Sequence, residues 1–214
     1  MPAGIVRAIY ILLIEEDEMK KNFLKWGMPV LVLVFAVSVV SAAKVPAFEV
    51  ISPIEPDEKS AVVYFVGSRN SGNVWDGETA VGSFYKTKLN GTPPYWSVIA
   101  YKTTPGSHIF MANGSNWVAT RAELEPNKSY FLRIDYVPVP FAQVVIMSIL
   151  GGDDGLEWLR RAGDIKDKKT QIIQYTDAWR TAFVSEKLLK KVQEELQEAQ
   201  GRLTEIDLSG KHGI

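Results

Sequence analysis

The sequence predicts a mainly β protein: an antiparallel β-sandwich or barrel-like domain with a C-terminal helical extension and an N-terminal signal segment. Three observations support this prediction. Short runs of β-branched and aromatic residues recur between residues 60 and 152, separated by turn-forming residues. Residues 177–208 instead repeat apolar residues every three or four positions, which is typical of a helix. A lysine-rich start and an apolar run precede the β-rich region, at residues 19–43.

The composition limits the possible function classes. The 24 basic and 25 acidic residues nearly cancel, so no strong field favours nucleic acid, and we expect no nucleic-acid partner. The chain contains no cysteine, which excludes disulfides, thiolate catalysis, cysteine-ligated zinc and a lipid-modified cysteine. Two histidines are too few for a transition-metal site built on imidazoles, and we expect neither a metal nor a cofactor.

Residues 19–43 have the three parts of a signal peptide: a positive start, an apolar run at 27–40 and small residues at 41–43. We therefore expect a periplasmic or secreted protein. The alternative is an inner-membrane signal anchor, in which this segment stays uncleaved and provides the only membrane contact. Residues 1–18 are interpreted as an over-extended start, and residues 44–59 as a linker.

Turn chemistry separates the predicted strands. Residues 60–67 form a nearly continuous β-branched and aromatic run, which predicts a central strand buried on both faces. The Asp76-Gly77 pair predicts a hairpin, because that turn needs positive φ. The segment 104–106 predicts another turn, with His108 in the strand that follows. Alternation of side chains along 130–136 predicts a strand with one face toward the core.

The end of the β-rich region leaves two alternatives. Residues 140–150 are apolar but too few to span a bilayer, so they form either a final strand or a surface that contacts lipid. Residues 153–163 predict a short helix. The chain is accordingly divided into a β-sandwich domain at 60–152 and a helical C-terminal extension at 153–214.

The order of several short motifs resembles a bacterial family catalogued as domain of unknown function 2846. The resemblance covers about residues 52–165 and implies a secreted or envelope β-domain with no known activity. Asn127 departs from it, because the family commonly has glycine there. The matching residues are Ala61 to Phe65, Arg69, Gly82, Asn90, Gly91, Tyr95, Pro105, Gly106, His108, Lys128 and Tyr130 to Leu132.

Two kinds of candidate binding residue stand out in the β domain. His108 is a possible general base, which would make the protein a hydrolase, but no linear motif supplies its partners and a structural role is favoured. Aromatic side chains suit stacking on sugar rings, which gives a carbohydrate- or peptidoglycan-binding module as the alternative function, although aromatic residues also fill cores. These residues are Trp75, Tyr95, Trp96, Tyr101 and Trp117.

The predicted C-terminal helix carries a narrow apolar stripe, which includes Leu188, Val192, Leu196 and Leu203. We expect the stripe to pack on something outside the core of the sandwich, either a second copy of the chain or another envelope protein. The outer face of the sandwich is the other possible partner. Together these features predict an exported cell-envelope protein that binds a partner and does not catalyse a reaction.

Overall fold

The computed structural model describes residues 46–139, 142–164, 169–201 and 203. The predicted start and signal segments, residues 1–18 and 19–43, lie outside the described residues, as do residues 204–208 of the predicted C-terminal helix. In the part of the chain that is described, no helix is long and apolar enough to cross a membrane.

Within the described residues, ten strands form two sheets that pack face to face, which confirms the predicted mainly β sandwich. The large sheet has the order β1-β10-β5-β2-β8-β9. Its strands are β1 (Phe48–Val50), β2 (Ala61–Ser68), β5 (Trp96–Thr103), β8 (Ser129–Val139), β9 (Ala142–Ile149) and β10 (Thr170–Tyr175). The small sheet has the order β4-β3-β6-β7. Its strands are β3 (Asn73–Asp76), β4 (Thr79–Ser83), β6 (Gly106–Asn113) and β7 (Trp117–Leu124).

Strand β2 lies inside the large sheet and is covered on both faces, as its continuous apolar run predicts. Its alternate residues belong to two apolar clusters, one between the sheets and one on the outer face of the large sheet. The Asp76-Gly77 hairpin between β3 and β4 is also confirmed, with a φ of +54° at Gly77. Residues 142–149 form strand β9 along β8, so the strand alternative is correct for this part of the region.

Two turns, including the one predicted at 104–106, lead from one sheet to the other and do not close hairpins. The first joins β5 of the large sheet to β6 of the small sheet, and Gly106 there has a φ of +121°. The second joins β7 to β8 and places Asn127 at a φ of +59°, a conformation that glycine and asparagine tolerate best. Because of these crossings β8 pairs parallel to β2, and the large sheet is mixed and not purely antiparallel.

The predicted domain boundaries need correction. Strand β1 lies in the segment interpreted as a linker, residues 44–59, and β10 lies in the predicted helical extension, residues 153–214. Both belong to the large sheet, where β10 pairs parallel to β5 and antiparallel to β1. The residues of β10 are largely buried, so the sandwich is completed only by chain on both sides of the interval 60–152.

In the part of the chain that the structure describes, three helices cover the outer faces of the sandwich: α1 (Gly152–Gly163), α2 (Asp177–Phe183) and α3 (Glu186–Gln200). Helix α1 packs Trp158, Leu159 and Ala162 on the outer face of the large sheet. Helices α2 and α3 cover the outer face of the small sheet, where Phe183 lies 5.7 Å from the Trp75 ring. The predicted continuous helix is therefore two helices, and the Ser185 hydroxyl caps the second by accepting a hydrogen bond from the Leu188 N–H.

Candidate binding site

His108 faces the interior between the sheets and is bonded through both ring nitrogens. Its Nδ1 lies 2.8 Å from Oδ2 of Asp76, and its Nε2 lies 2.8 Å from the carbonyl oxygen of Thr104. The Tyr101 hydroxyl donates to the same Asp76 oxygen at 3.0 Å. Because Asp76 and His108 belong to the small sheet and Tyr101 to the large sheet, this polar group ties the two sheets together.

The two partners of His108 determine its protonation. A carboxylate and a carbonyl both accept hydrogen bonds, so both contacts are satisfied only when both ring nitrogens carry a proton. The hydrogen bond to Asp76 raises the pKa of His108, while burial acts in the opposite direction. An imidazolium with both N–H groups engaged has no free lone pair for general-base catalysis. The geometry therefore favours a structural link over a hydrolase centred on this residue.

The five aromatic residues predicted to form a sugar-stacking surface do not lie together. Trp75 is fully buried on the outer face of the small sheet, where its Nε1 donates to Oδ1 of Asn113 at 3.1 Å. Trp117 lies beside it, with ring centroids 6.5 Å apart. Tyr101 lies between the sheets, where burial and the Asp76 carboxylate raise the pKa of its hydroxyl to about 12. Trp75 belongs to the packed interior, as is usual for aromatic side chains, whereas Tyr101 and Trp117 are partly buried and pack against it.

Tyr95 and Trp96 do lie together: Trp96 begins β5 on the outer face of the large sheet, and Tyr95 directly precedes it. The Tyr95 side chain is 58% exposed, and its ring centroid lies 5.9 Å from that of Trp96 in an edge-on arrangement. The Trp158 ring of α1 lies 5.1 Å from Trp96, with an angle of 48° between the ring planes. Tyr95, Trp96 and Trp158 therefore form an angled notch, not a flat platform, and we call this group the aromatic notch.

One guanidinium group contacts the aromatic notch. The Arg161 guanidinium lies 5.7 Å from the centre of the Trp158 ring, within cation–π range. Arg160 and Arg161 both donate to the Glu157 carboxylate, at 2.7 to 2.8 Å, and lower the pKa of Glu157 to about 2. The backbone N–H of Arg69 donates to the carbonyl of Tyr95, and an Nη of Arg69 donates to the carbonyl of Pro93.

Sequence reasoning missed Trp158 and Arg161 as binding candidates. The two residues are one helical turn apart, so a helix at 153–163 places them on the same face. That local pattern does not show which strand the face covers. Trp158 reaches Trp96 only because α1 packs across the large sheet, and no sequence signal predicts this crossing.

The predicted interaction stripe of the C-terminal helix is largely buried within the chain. Val192 is fully buried, and Leu188 and Leu196 pack against the same apolar cluster. The stripe covers the outer face of the small sheet, which is the third of the possible partners expected from the sequence. Leu203, beyond the end of α3, lines a cavity of about 190 Å³ next to Trp117.

The described residues contain no cluster of three or more histidine, cysteine, aspartate or glutamate side chains that could hold a metal ion. Comparison with known proteins finds no match among family models, curated proteins or solved structures. The resemblance to the domain of unknown function 2846 family therefore stays a prediction.

Proposed function

We propose that the protein is an exported, non-catalytic binding protein of the cell envelope, and that its ligand is a saccharide held at the aromatic notch. The observation that carries this proposal is the 58% exposure of Tyr95, whose ring lies beside that of Trp96, which in turn lies beside that of Trp158. The signal-like segment at 19–43 supports export to the periplasm or secretion, where saccharides are abundant.

The notch has features that suit a saccharide ligand. One face of a pyranose ring presents C–H groups that pack on an aromatic ring, while hydroxyl groups at its rim need hydrogen-bond partners. Tyr95 provides an open aromatic face with a hydroxyl at its tip. Arg161 places donors next to Trp158, and its side chain is 53% exposed. The angles between the rings suit a bent or terminal saccharide better than a flat polysaccharide surface.

A second candidate function is binding of an envelope protein through the β8–β9 hairpin. Val137, Val139 and Ile146 are each more than one-third exposed. They lie on one face of the hairpin, since Val137 pairs with Val144 and Asp135 pairs with Ile146. Exposed apolar side chains that share a face are typical of protein–protein contacts.

The saccharide proposal is tested by isothermal titration of the purified protein with soluble oligosaccharides and by co-sedimentation with purified peptidoglycan. Tyr95→Ala should weaken binding about tenfold, which corresponds to about 1.4 kcal/mol of lost stacking. The matched control is Ile146→Ala, which removes an exposed apolar side chain from the hairpin and should leave saccharide binding unchanged. Equal affinities of wild type and Tyr95→Ala would contradict the proposal.

A further inference from the structure

We infer that Asn116 prevents the chain from pairing with a second copy of itself through strand β9, and that loss of this side chain converts the protein into a strand-paired dimer. The inference does not depend on the saccharide proposal. It rests on the contact between the turn that joins β6 to β7, residues 114–116, and the edge of the large sheet, where β9 is the last strand.

The Asn116 side chain bonds to β9 in the way that a neighbouring strand would. Its Oδ1 accepts from the Val145 N–H at 2.7 Å, and its Nδ2 donates to the Val145 carbonyl oxygen at 3.1 Å. Gly114 allows the turn to come this close, because a Cβ there would lie 2.5 Å from Cγ2 of Val145. One side-chain amide therefore satisfies both backbone groups of Val145, a buried residue that needs partners for them.

The same contact shows which backbone groups of β9 point away from the sheet. Val145 lies opposite Tyr136 of β8, but its N–H and C=O bond to Asn116 and so face outward. Because this direction alternates along an antiparallel strand, the N–H and C=O groups of residues 143, 147 and 149 face outward as well. Among the described residues, Met147 and Ile149 have no hydrogen-bond partner on that side. The edge is therefore a row of outward backbone groups that Asn116 interrupts at Val145.

Strand β9 lacks the charged residues, prolines and bulges that usually keep edge strands from pairing with other chains. Its sequence is AQVVIMSI, and its register with β8 is regular from end to end. Ile146 adds an apolar side chain that is 44% exposed on the outer face of the sheet. In the described structure, the protection of this edge therefore depends on Asn116.

A second copy of the chain fits this edge. If two β9 strands pair antiparallel about a two-fold axis at Ile146, the outward residues 143, 145, 147 and 149 of one copy lie opposite the same residues of the other in reverse order. Every outward N–H and C=O then gains a partner. No like charges meet because the strand has none, and the two Ile146 side chains contact each other. Asn116 blocks this register, since its amide occupies the groups of Val145 that the second strand would bond.

The test is the oligomeric state of the purified protein, measured by analytical ultracentrifugation over a range of concentrations. Wild type should sediment as a monomer, whereas the dissociation constant of the Asn116→Ala dimer should be lower by about tenfold or more. Asn116→Ser should behave in the same way, because its hydroxyl is too short to bond both groups of Val145. The matched control is Ser115→Ala in the same turn, whose exposed side chain makes no hydrogen bond in the described structure and which should stay monomeric.

Disulfide formation tests the register, because the chain contains no cysteine of its own. At the two-fold axis the Cα atoms of residue 146 in the two copies would be about 4.5 Å apart, which a disulfide can span. Those of residue 148 would be offset by about 14 Å along the strands, which it cannot span. Mild oxidation should therefore cross-link Ile146→Cys in the Asn116→Ala background and leave Ser148→Cys in that background as single chains.

Several results would overturn the inference. One is that Asn116→Ala and Asn116→Ser stay as monomeric as the wild type while circular dichroism shows an intact fold. Cross-linking at neither position, or equally at both, would show that association uses a different surface or register. Equal dimerisation of Ser115→Ala would show that any change in the turn causes association, and efficient cross-linking of Ile146→Cys with Asn116 in place would show that Asn116 does not block the edge.

Discussion

Both outer faces of the sandwich carry a tryptophan side chain packed beneath a helix, but the helices that cover the two faces bury them to different extents. On the small sheet, α2 and α3 follow each other along the chain and enclose Trp75, which is fully buried and hydrogen-bonded. On the large sheet, α1 covers the middle of the strands but leaves Tyr95 exposed at the beginning of β5. A single short helix thus leaves an aromatic side chain exposed, whereas a pair of helices completes the core.

The largest effect on stability is expected for a charge placed between helix α3 and the small sheet. Val192→Lys puts an ammonium group at a fully buried position in the cluster between α3 and the small sheet. We expect the free energy of unfolding to fall by about 3 to 5 kcal/mol, measured by chemical denaturation, because an unpaired charge would be buried and packing lost.

The control for this variant is on the other cover. Leu156 of α1 is 46% exposed, so Leu156→Lys should change the free energy of unfolding by less than about 0.5 kcal/mol. If Val192→Lys were equally mild, α3 would not be part of the core, and the interaction role predicted from the sequence would regain support.

A smaller effect is expected where α1 approaches the large sheet most closely. A Cβ at Gly155 would lie 2.2 Å from ring atoms of Phe131, and that ring is stacked on Tyr64 with centroids 5.3 Å apart. Gly155→Ala should therefore lower the free energy of unfolding by about 1 to 3 kcal/mol, although alanine normally stabilises a helix interior by about 1 kcal/mol.

The control for this variant is Gly163→Ala at the end of the same helix, where an added Cβ meets no atom within 4 Å. Thermal unfolding should place it within about 0.5 kcal/mol of the wild type. If Gly155→Ala were as stable as the wild type, α1 would lie further from Phe131 and pack less tightly on the large sheet than the structure indicates.

The sequence predicted individual strands better than their arrangement. The apolar run of β2 and the Asp76-Gly77 hairpin are determined by burial and by local φ requirements, so both were predicted correctly. A turn such as 104–106 has the same chemistry whether the next strand pairs in the same sheet or crosses to the other one. The two crossings, and the parallel pairs that result from them, therefore could not be predicted from local patterns.

Long-range packing also explains what was missed in the candidate site and in β10. The six residues of β10 include only two isoleucines and one tyrosine among polar residues, so their pattern does not distinguish a strand from a turn of helix, and the partners β1 and β5 are distant in sequence. Likewise, a narrow apolar stripe shows that α3 packs against another surface, but it does not identify that surface. Tyr95 and Trp96 were predicted as candidates because they are aromatic neighbours, whereas Trp158 joins them through tertiary packing alone.

The smallest expected effect concerns the polar group between the two sheets, which consists of Asp76, Tyr101 and His108. The raised pKa of His108 means that protonated His108 is favoured in the folded state, relative to an ordinary value of 6.5. This contribution to stability is fully present below about pH 6.5 and is lost as pH rises through the higher folded-state pKa. Tyr101, with a pKa of about 12, stays protonated throughout this range.

We therefore expect the free energy of unfolding to decrease as pH is raised from 6 to 8, measured by denaturation at constant ionic strength. Asp76 is the main partner in this effect and Glu123 adds a weaker attraction. His108→Asn should remove most of the pH dependence and lower stability at pH 6 by about 1 kcal/mol, the size of a typical hydrogen-bond contribution. A His212→Gln background removes the chain's other histidine as a source of the signal.

Stability that rises with pH in this window, or an unchanged pH dependence in His108→Asn, would contradict the ion pair. Because His108 lies between the sheets, its replacement should leave oligosaccharide binding at the aromatic notch unchanged. It should also leave Trp75 buried. These two readouts distinguish loss of the link between the sheets from a change in the packing of the helices.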